Sequence, residues 1–341
     1  MRVFVAGASG VIGRVLVPLL MQAGHSVITI TRSRAACEEL CLQGVKSFVC
    51  DVYDDERLQE IFWESSPDAV VNQLTNIPAD MHPRRIARDM AATNRLRTEG
   101  TRLLLHAARL FSVRRFLSQS ISFAHDPGAG APAGESAPLY LDAPRSFRET
   151  IRAVAECENA TLQTPGIDGV VLRYGYFYGP GTVYARGGSF ARGVLKRAVP
   201  VIGNGSGVFS FVHVADAAAA TLAALESDVQ GTFHIVDDDP APVSDWLPYY
   251  AHTLGAPPPR NVPALLGRLV GGAYATYMML QQCGAKNDKA RSDLSWRPRF
   301  SSWREGFKAE LEDRCQPQSP AVPCFGPGGR RDAGPARHIG R

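Results

Sequence analysis

Short apolar runs alternate with stretches of helical periodicity through the first half of the chain. The apolar runs predict strands, which lie at residues 2–6, 26–30, 46–50, 68–73, 114–119 and 168–173. The periodic stretches predict helices at 10–23, 34–43 and 54–63, and a long helix that ends near 110. Strands that alternate with helices form right-handed βαβ units, and these units build a parallel sheet. The pattern therefore predicts an α/β fold with a doubly wound parallel sheet.

The pattern changes beyond residue 180, where glycine-rich loops separate short strands at 209–212 and 232–236. Helices are predicted at 190–197, 214–226, 244–254, 263–282 and 301–312. We therefore expect a sheet domain over residues 1–180 and a smaller substrate lobe over 181–313, interleaved with the sheet near 209–236. Residues 126–146 are rich in Pro, Gly and Ala and predict a mobile loop. Residues 314–341 hold ten Pro or Gly among 28 positions and predict a disordered tail.

Composition and charge narrow the class of protein. Of the 341 residues, 45% are hydrophobic and 21% are charged, as in an ordinary globular protein. No apolar run reaches about 18 residues, and the first run is too short for a signal peptide, so we expect a cytoplasmic protein without a membrane span. The seven scattered cysteines show no metal-binding spacing. The net charge of +4 belongs to the tail, because residues 1–313 hold 32 basic and 32 acidic residues, and this argues against a nucleic-acid partner.

The strongest motif follows the first predicted strand and opens the first predicted helix. It consists of Gly7, Ala8, Ser9, Gly10, Val11, Ile12 and Gly13. Its three glycines permit a tight turn, close approach of the backbone to a pyrophosphate, and close packing of the helix on the sheet. The helix N-terminus then supplies free N–H groups and the positive end of its dipole. In this position the motif predicts a dinucleotide site on a Rossmann sheet.

The end of the second strand bears on which nucleotide binds. An NAD site usually places an acidic residue there for the ribose hydroxyls, whereas this chain has Arg32, Ser33 and Arg34. Guanidinium groups match phosphate oxygens, so the sequence favours NADP over NAD. The alternative is that Arg32 or Arg34 is a solvated residue at a helix start. Asp51 follows the third strand, where it would meet the adenine amino group or instead cap the helix at 54–63.

Taken in order, these residues resemble the extended short-chain dehydrogenase/reductase superfamily, also called the NAD-dependent epimerase/dehydratase family. The resemblance covers roughly residues 1–310 and rests also on Leu172-Arg173, on Tyr178-Gly179-Pro180 and on the run from Phe211 to Asp216. It implies that the glycine loop holds the pyrophosphate and that Arg32 and its neighbours hold the adenosine ribose. The other cofactor contacts that it implies are Asp51, Val52, Leu74, Thr75, Asn94 and Gln119.

The chain departs from this family at the residues that carry proton chemistry. The family uses a tyrosine and a lysine four residues later, and none of the ten tyrosines here has a lysine at that spacing. Alignment through Ala155-Glu156 puts Arg148 at the tyrosine position and Arg152 at the lysine position. Arginine stays protonated and is a poor proton shuttle. Arg152 would instead hydrogen-bond the nicotinamide ribose, and Arg148 would orient a substrate carbonyl or carboxylate.

A hydroxyl group would then have to come from elsewhere in the chain. Ile121 occupies the position of the family's catalytic Ser or Thr, although a shift by one residue would bring in Ser120 or Ser122. The other candidates are three tyrosines, Tyr140, Tyr176 and Tyr178. For the last two, which are spaced by two in a strand-to-loop segment, packing is the competing interpretation.

The glycine-rich loop after residue 180 is expected to cover the substrate. The predicted substrate contacts are therefore Tyr184, Arg186 and Phe190, together with Tyr140. His213 and Asp216 are assigned to helix capping rather than to catalysis.

These observations favour an NADP-dependent, oxidoreductase- or epimerase-like enzyme that transfers hydride to or from a small or medium-sized carbonyl or alcohol compound. Two alternatives stay open: a non-redox isomerase, cyclase or dehydratase on the same scaffold, and an NADP-binding sensor without turnover. We expect a small-molecule substrate and a homodimer, and we expect no metal, nucleic-acid partner or membrane partner.

Overall fold

The computed structural model describes residues 1–312, so the tail predicted at 314–341 lies outside the described residues. The strands are β1 (Arg2–Ala6), β2 (Ser26–Thr31), β3 (Lys46–Val49), β4 (Ala69–Asn72), β5 (Arg115–Ile121), β6 (Asp168–Tyr174), β7 (Tyr176–Tyr178), β8 (Val201–Ile202), β9 (Val208–Phe209), β10 (Phe211–His213), β11 (Gly231–Ile235), β12 (Ala241–Pro242) and β13 (Asn261–Val262). A seven-stranded sheet with the order β11-β6-β5-β4-β1-β2-β3 forms the centre, and every pairing in it is parallel. The predicted doubly wound parallel sheet is confirmed.

Helices cover both faces of this sheet and build the C-terminal lobe. They are α1 (Gly13–Gln22), α2 (Arg34–Leu42), α3 (Asp55–Ser65), α4 (Ile86–Asp89), α5 (Ala91–Arg95), α6 (Thr101–Leu110), α7 (Arg145–Gln163), α8 (Ser189–Leu195), α9 (Val214–Glu226), α10 (Val243–Leu254), α11 (Ala264–Leu280), α12 (Asp288–Asp293) and α13 (Trp303–Glu312). Among residues 1–312, none of them is both long and apolar enough to cross a membrane.

The first strand shows why the sheet carries helices on both faces. Val3 and Val5 point into the core formed with α1 and α9, whereas Phe4 and Ala6 point into the core formed with α3 and α6. All four side chains are fully buried. Successive side chains of a strand alternate between faces, so an unbroken apolar run fits only a strand that is covered on both sides.

The strand order reverses between β1 and β4, which pair in parallel at the middle of the sheet. Loops that leave the carboxyl ends of two such strands turn toward opposite faces and leave a crevice between them. The loop after β1 carries the glycine motif, and the loop after β4 begins at Gln73. The crevice is therefore the place where this fold would accept a nucleotide.

The long helix predicted to end near 110 consists of shorter pieces. After α4 and α5, the chain makes a wider turn over Leu96–Gly100 and continues as α6. The wider turn carries Arg97, whose side chain is buried, and this burial lowers the pKa of its guanidinium. Leu110 is exposed at the end of α6.

The C-terminal lobe has its own aromatic core. Trp246 and Tyr250 of α10 pack there with Phe211 of β10 and with Trp303 and Phe307 of α13. The strand β11, from the second half of the chain, pairs with β6 and completes the large sheet. One strand of the large sheet therefore comes from the half of the chain that builds the lobe.

The segment 126–146, predicted as a mobile loop, is fastened to the body of the protein. Ala133 forms an isolated bridge with Ala285, and the Glu135 carboxylate accepts the backbone N–H of His234 at 3.0 Å. The Nε2 atoms of His125 and His234 lie 2.8 Å apart, and burial lowers the pKa of His125 to about 4. Mobility is not supported, because the segment makes long-range contacts although it has little regular structure.

Candidate functional site

The glycine loop after β1 leaves no room for side chains at its first and last glycines. Gly7 has a φ of +97°, and a Cβ atom there would lie 2.7 Å from the backbone oxygen of Gln73. A Cβ atom on Gly13 would lie 2.3 Å from the oxygen of Gly7, and one on Gly10 would lie 3.1 Å from the same oxygen. The N–H of Gly10 donates to Gly7 O at 3.0 Å and closes the turn. The loop is therefore a tight backbone cradle, as the motif predicts.

Of the remaining loop residues, two anchor the loop in the core and two lie at its exposed tip. Ala8 and Ile12 are buried in the core, whereas Ser9 and Val11 are exposed at the tip. The first turn of α1 contains no acidic residue, and no side chain caps its N-terminus. Its free N–H groups and dipole thus remain available for an anion. These features fit the pyrophosphate of a dinucleotide.

The polar residues after β2 split into two roles. Ser33 caps α2, because its side chain accepts the N–H of Ala36 at 3.3 Å. Arg32 and Arg34 are exposed, and within residues 1–312 neither has a carboxylate at ion-pair distance. Their guanidinium groups are thus available to a ligand at the crevice, and their assignment to a nucleotide phosphate stays a prediction.

The structure decides between the two interpretations of Asp51. The helix α3 is capped by Asp54, whose side chain accepts the N–H of Arg57 at 3.1 Å, so the alternative that Asp51 caps this helix is wrong. The carboxylate of Asp51 instead accepts the N–H of Tyr53 at 3.1 Å. Its neighbour Val52 is buried. The adenine contact of both residues stays a prediction.

The other predicted cofactor residues follow β4 or lie on α5 or β5. Leu74 and Thr75 come directly after β4, where the side chain of Asn72 accepts the N–H of Leu74. Asn94 on α5 donates to Thr150 Oγ1 at 3.2 Å, while its own amide oxygen is buried without a partner in the described part of the chain. Gln119 lies half-buried on β5. Asn94 therefore joins α5 to α7, and its contact with the cofactor stays a prediction.

The glutamate that anchors α7 on the sheet is Glu158. Its carboxylate accepts hydrogen bonds from Arg173 at 2.8 and 2.6 Å and from Ser120 Oγ at 2.5 Å. Glu156 is exposed on the outer side of the helix. An alignment through the buried Glu158 differs by two residues from the alignment through Ala155-Glu156.

The choice of glutamate changes which residues are matched to the family's tyrosine and lysine. Alignment through the buried glutamate places Thr150 and Val154 at these positions, and both side chains are buried. Arg152 is instead 61% exposed and pairs with Glu149 at 3.1 Å, so its predicted contact with the nicotinamide ribose is not supported. Arg148 is half-buried and donates to Ala143 O at 3.2 Å. Its role toward a substrate stays a prediction.

The side chains of both predicted serines are buried. Ser120 donates to Glu158, and Ser122 is 2% exposed beside the end of β6, where its N–H donates to Tyr174 O. Ile121, between them, packs in an apolar cluster with α7 residues. The end of β5 is thus apolar where the family places a hydroxyl group.

The predicted tyrosines lie in aromatic clusters. Tyr176 is stacked between Phe123 and Phe209 and donates to Gln282 Oε1 at 3.0 Å. The Tyr178 hydroxyl is enclosed in the lobe core against α13 and has no hydrogen-bond partner among the described residues. Burial raises the pKa of both phenols well above its ordinary value. Packing, the competing interpretation, is favoured for both, while Tyr140 packs on the ring of Tyr277.

The predicted substrate loop also belongs largely to the lobe core. Tyr184 is 6% exposed. The centroid of its ring lies 4.7 Å from that of Phe190, and the ring also packs on Trp246. Arg186 donates to Leu311 O at 2.5 Å and lines an open cavity of about 360 Å³ that also includes Glu310. Substrate contacts by Tyr184 and Phe190 are therefore not supported.

Of the two residues assigned to helix capping, one caps α9 and the other does not. His213 caps α9, since its side chain accepts the N–H of Ala215 at 3.1 Å. Asp216 does not cap the helix. Its carboxylate accepts the N–H groups of Arg299 and Phe300 and fastens the segment before α13. Among the residues described, 1–312, no three His, Cys, Asp or Glu side chains converge to hold a metal ion.

The sheet and its glycine cradle define an α/β protein of the dinucleotide-binding class. Residues 3–236 match the family model of the NAD dependent epimerase/dehydratase family, and the chain belongs to this family. It is 44% identical over 316 residues to a Streptomyces protein named 3-diazoavenalumate denitrifying reductase, and the match covers 91% of this chain and all of that protein.

Solved structures confirm the fold. The UDP-glucose 4-epimerase of Thermotoga maritima, solved with UDP-glucose, is similar with a TM-score of 0.70 and 23% identity, and 92% of this chain and 98% of that chain are covered. The UDP-glucose 4-epimerase of Thermus thermophilus, solved with NAD, has a TM-score of 0.69 and 22% identity over the same shares.

Proposed function

We propose that this protein is an NADPH-dependent reductase that replaces the diazonium group of an organic acid by hydrogen. The relative named 3-diazoavenalumate denitrifying reductase supports this reaction class. The observation that carries the proposal is the burial of Thr150 and Val154, the two residues that an alignment through Glu158 matches to the family's tyrosine and lysine. Neither side chain titrates near neutral pH, so the site favours a reduction that needs no proton relay on a substrate oxygen.

A diazonium group meets this requirement. Bound NADPH supplies a hydride. Replacement of the diazonium group by this hydride forms a carbon–hydrogen bond, breaks the carbon–nitrogen bond and releases N₂, and it balances without a proton. Reduction of a ketone, in contrast, leaves an alkoxide that a side chain has to protonate.

The chain's own residues hold the nucleotide and keep water away. The glycine cradle would bind the pyrophosphate, and Arg32 and Arg34 would bind the phosphate that distinguishes NADPH from NADH. Ile121 and Val154 belong to one apolar cluster at the end of β5. An apolar wall at this edge would protect a diazonium compound from attack by water.

The reaction itself is tested with an aryl diazonium carboxylate and NADPH labelled with deuterium at the transferred position. We expect deuterium on the ring carbon of the product and one N₂ released per NADPH oxidised. Reactions without protein measure the uncatalysed background. Oxidation of NADPH by simple ketones, with no acceleration of N₂ release from the diazonium compound, would refute the proposal.

The preference for NADPH is tested by Arg32→Asp. Loss of charge-assisted hydrogen bonds to a phosphate should weaken NADPH binding about 10- to 100-fold. NADH lacks this phosphate and should lose little affinity. Titration of the protein with each nucleotide measures both effects, and Arg109→Asp on the exposed face of α6 is the control. Equal losses for NADPH and NADH would contradict the assignment of Arg32.

A further inference from the structure

An open cleft of about 940 Å³ lies outside the crevice at the glycine loop. It is formed by the first turns of α7, by the residues just before and within α4, and by the middle of α11. We call it the arginine cleft, because Arg84, Arg145, Arg148 and Arg152 line it. The nucleotide site does not use these four residues.

The charge of the cleft is not balanced within the described part of the chain. Glu149 is the acidic residue in its lining, and it pairs with Arg152 at 3.1 Å. Within residues 1–312, Arg84, Arg145 and Arg148 have no carboxylate at ion-pair distance. The lining therefore carries a formal charge of +3. Like charges brought together at one surface favour the binding of an anion.

The helix α7 adds to this positive potential. It begins at Arg145 after Pro144, is 19 residues long, and has no side-chain cap and no acidic residue in its first turn. The N-terminus of such a helix offers free N–H groups and the positive end of its dipole. Two independent features, the unpaired guanidinium groups and the uncapped helix, thus favour an anion in the same cleft.

Two of the four arginines are positioned by contacts with the backbone. Arg148 donates to Ala143 O at 3.2 Å, and Arg84 donates to the carbonyl oxygen of Leu269 on α11. The helix α11 breaks at Gly272, which has a φ of +80°, and the Arg84 chain lies 3.6 Å from where a Cβ atom of Gly272 would be. These contacts fix part of each guanidinium group and leave its other donors free.

Apart from Ser146, the rest of the lining is apolar. Pro83, Ala87 and Ala273 contribute walls. Beside the cleft, the ring of Phe147 packs at 4.9 Å from that of Tyr274, in the cluster that contains Ile121 at the end of β5. A bare inorganic anion would leave such walls in contact with water, whereas an organic acid would cover them.

We propose that the arginine cleft binds the carboxylate of an elongated organic acid, with its apolar body directed toward the end of β5. The identity of this acid as the substrate rests on the proposed function. Arg148 is two residues from Thr150 but on a different side of α7, and a helix is about 10 Å wide with its side chains. The carboxylate and the reacting carbon must therefore be separated by several bonds.

The test uses 4-hydroxycinnamate, an unreactive aryl carboxylate, and the full-length protein. Titration calorimetry, with and without NADP⁺, compares the wild type with the double variant Arg145→Gln/Arg148→Gln. We expect the double variant to bind the acid about 10- to 100-fold more weakly, because charge-assisted hydrogen bonds are lost. The neutral amide of the same acid should bind the wild type as weakly as the acid binds the variant.

Controls separate this site from general charge effects and from the reaction. Arg109→Gln removes an exposed arginine of α6 and should bind the acid as the wild type does. Equal affinities for acid and amide, an unchanged double variant, or tighter binding of inorganic phosphate than of the acid would each overturn the cleft assignment. If diazonium reduction is absent while this binding pattern holds, the proposed function fails and the cleft assignment stands. If the enzyme reduces the diazonium acid, the double variant should raise its KM with little change in kcat.

Discussion

Replacing Gly7 with alanine is expected to weaken NADPH binding by about 100-fold or more, which corresponds to about 2.7 kcal/mol. The added Cβ atom would lie 2.7 Å from the backbone oxygen of Gln73, and the φ of +97° is unfavourable for any residue with a Cβ atom. Relief of this clash has to move the loop after β1 away from the loop after β4. The two loops border the crevice, so the pyrophosphate would lose its cradle. Nucleotide titration and thermal unfolding measure the two consequences.

Gly24 supplies a matched control for the strain of the backbone alone. It also has a positive φ, of +83°, but a Cβ atom there would meet no other atom within 4 Å. Gly24→Ala should therefore cost about 1 kcal/mol of stability and leave the affinity for NADPH unchanged. Gly10→Ala should be intermediate, since its Cβ atom would lie 3.1 Å from Gly7 O. Equal loss of nucleotide affinity in Gly7→Ala and Gly24→Ala would show that the cradle does not bind the nucleotide.

The sheet and the glycine loop could be predicted because their physical causes are local. A strand buried on both faces, such as β1, requires an unbroken apolar run, and this run is visible in the sequence. The positive φ of Gly7 and the crowding at Gly13 require glycine at positions that the motif displays directly. No distant partner has to be known for either inference.

The register of α7 could not be fixed in the same way. Glu156 and Glu158 are two residues apart, and a shift of two residues on a helix rotates the alignment by about 200°. Only the contact of Glu158 with Arg173 identifies the buried glutamate. One sequence signal was available, because the apolar positions Ile151 and Val154 mark the buried face, and Glu158 continues it while Glu156 does not.

The aromatic residues of the second half show a different reason why a prediction from the sequence fails. Tyr178 was a candidate hydroxyl group and Tyr184 a predicted substrate contact, and both lie near glycine-rich turns. Their burial is created by α10 and α13, which are far away in the chain. A Cβ atom on Gly306 would lie 2.0 Å from the Tyr178 hydroxyl, so this glycine makes the space in which the tyrosine packs. The local sequence pattern gives no information about packing partners that are so far away in the chain.

Replacing Arg173 with methionine should lower the free energy of unfolding by about 3–5 kcal/mol. The side chains of Arg173 and Glu158 are only 7% and 6% exposed. The variant would leave the Glu158 carboxylate buried, with the hydroxyl of Ser120 as its remaining side-chain donor in the described part of the chain. Arg173 also donates to Glu135 O at 3.0 Å, so its loss would remove a contact between the segment 126–146 and β6. Urea unfolding of the purified protein measures the change.

Two further variants show whether the burial of the charge is the cause. Arg152→Met breaks the exposed pair with Glu149 on the same helix and should change stability by less than about 1 kcal/mol. The double variant Arg173→Met/Glu158→Leu removes both buried charges and should recover most of the loss, since apolar residues of similar volume can replace a buried ion pair. A single variant Arg173→Met as stable as Arg152→Met would mean that Glu158 does not depend on Arg173. In that case the alignment of α7 through Glu158, and with it the match of Thr150 and Val154 to the family's tyrosine and lysine, would lose its support.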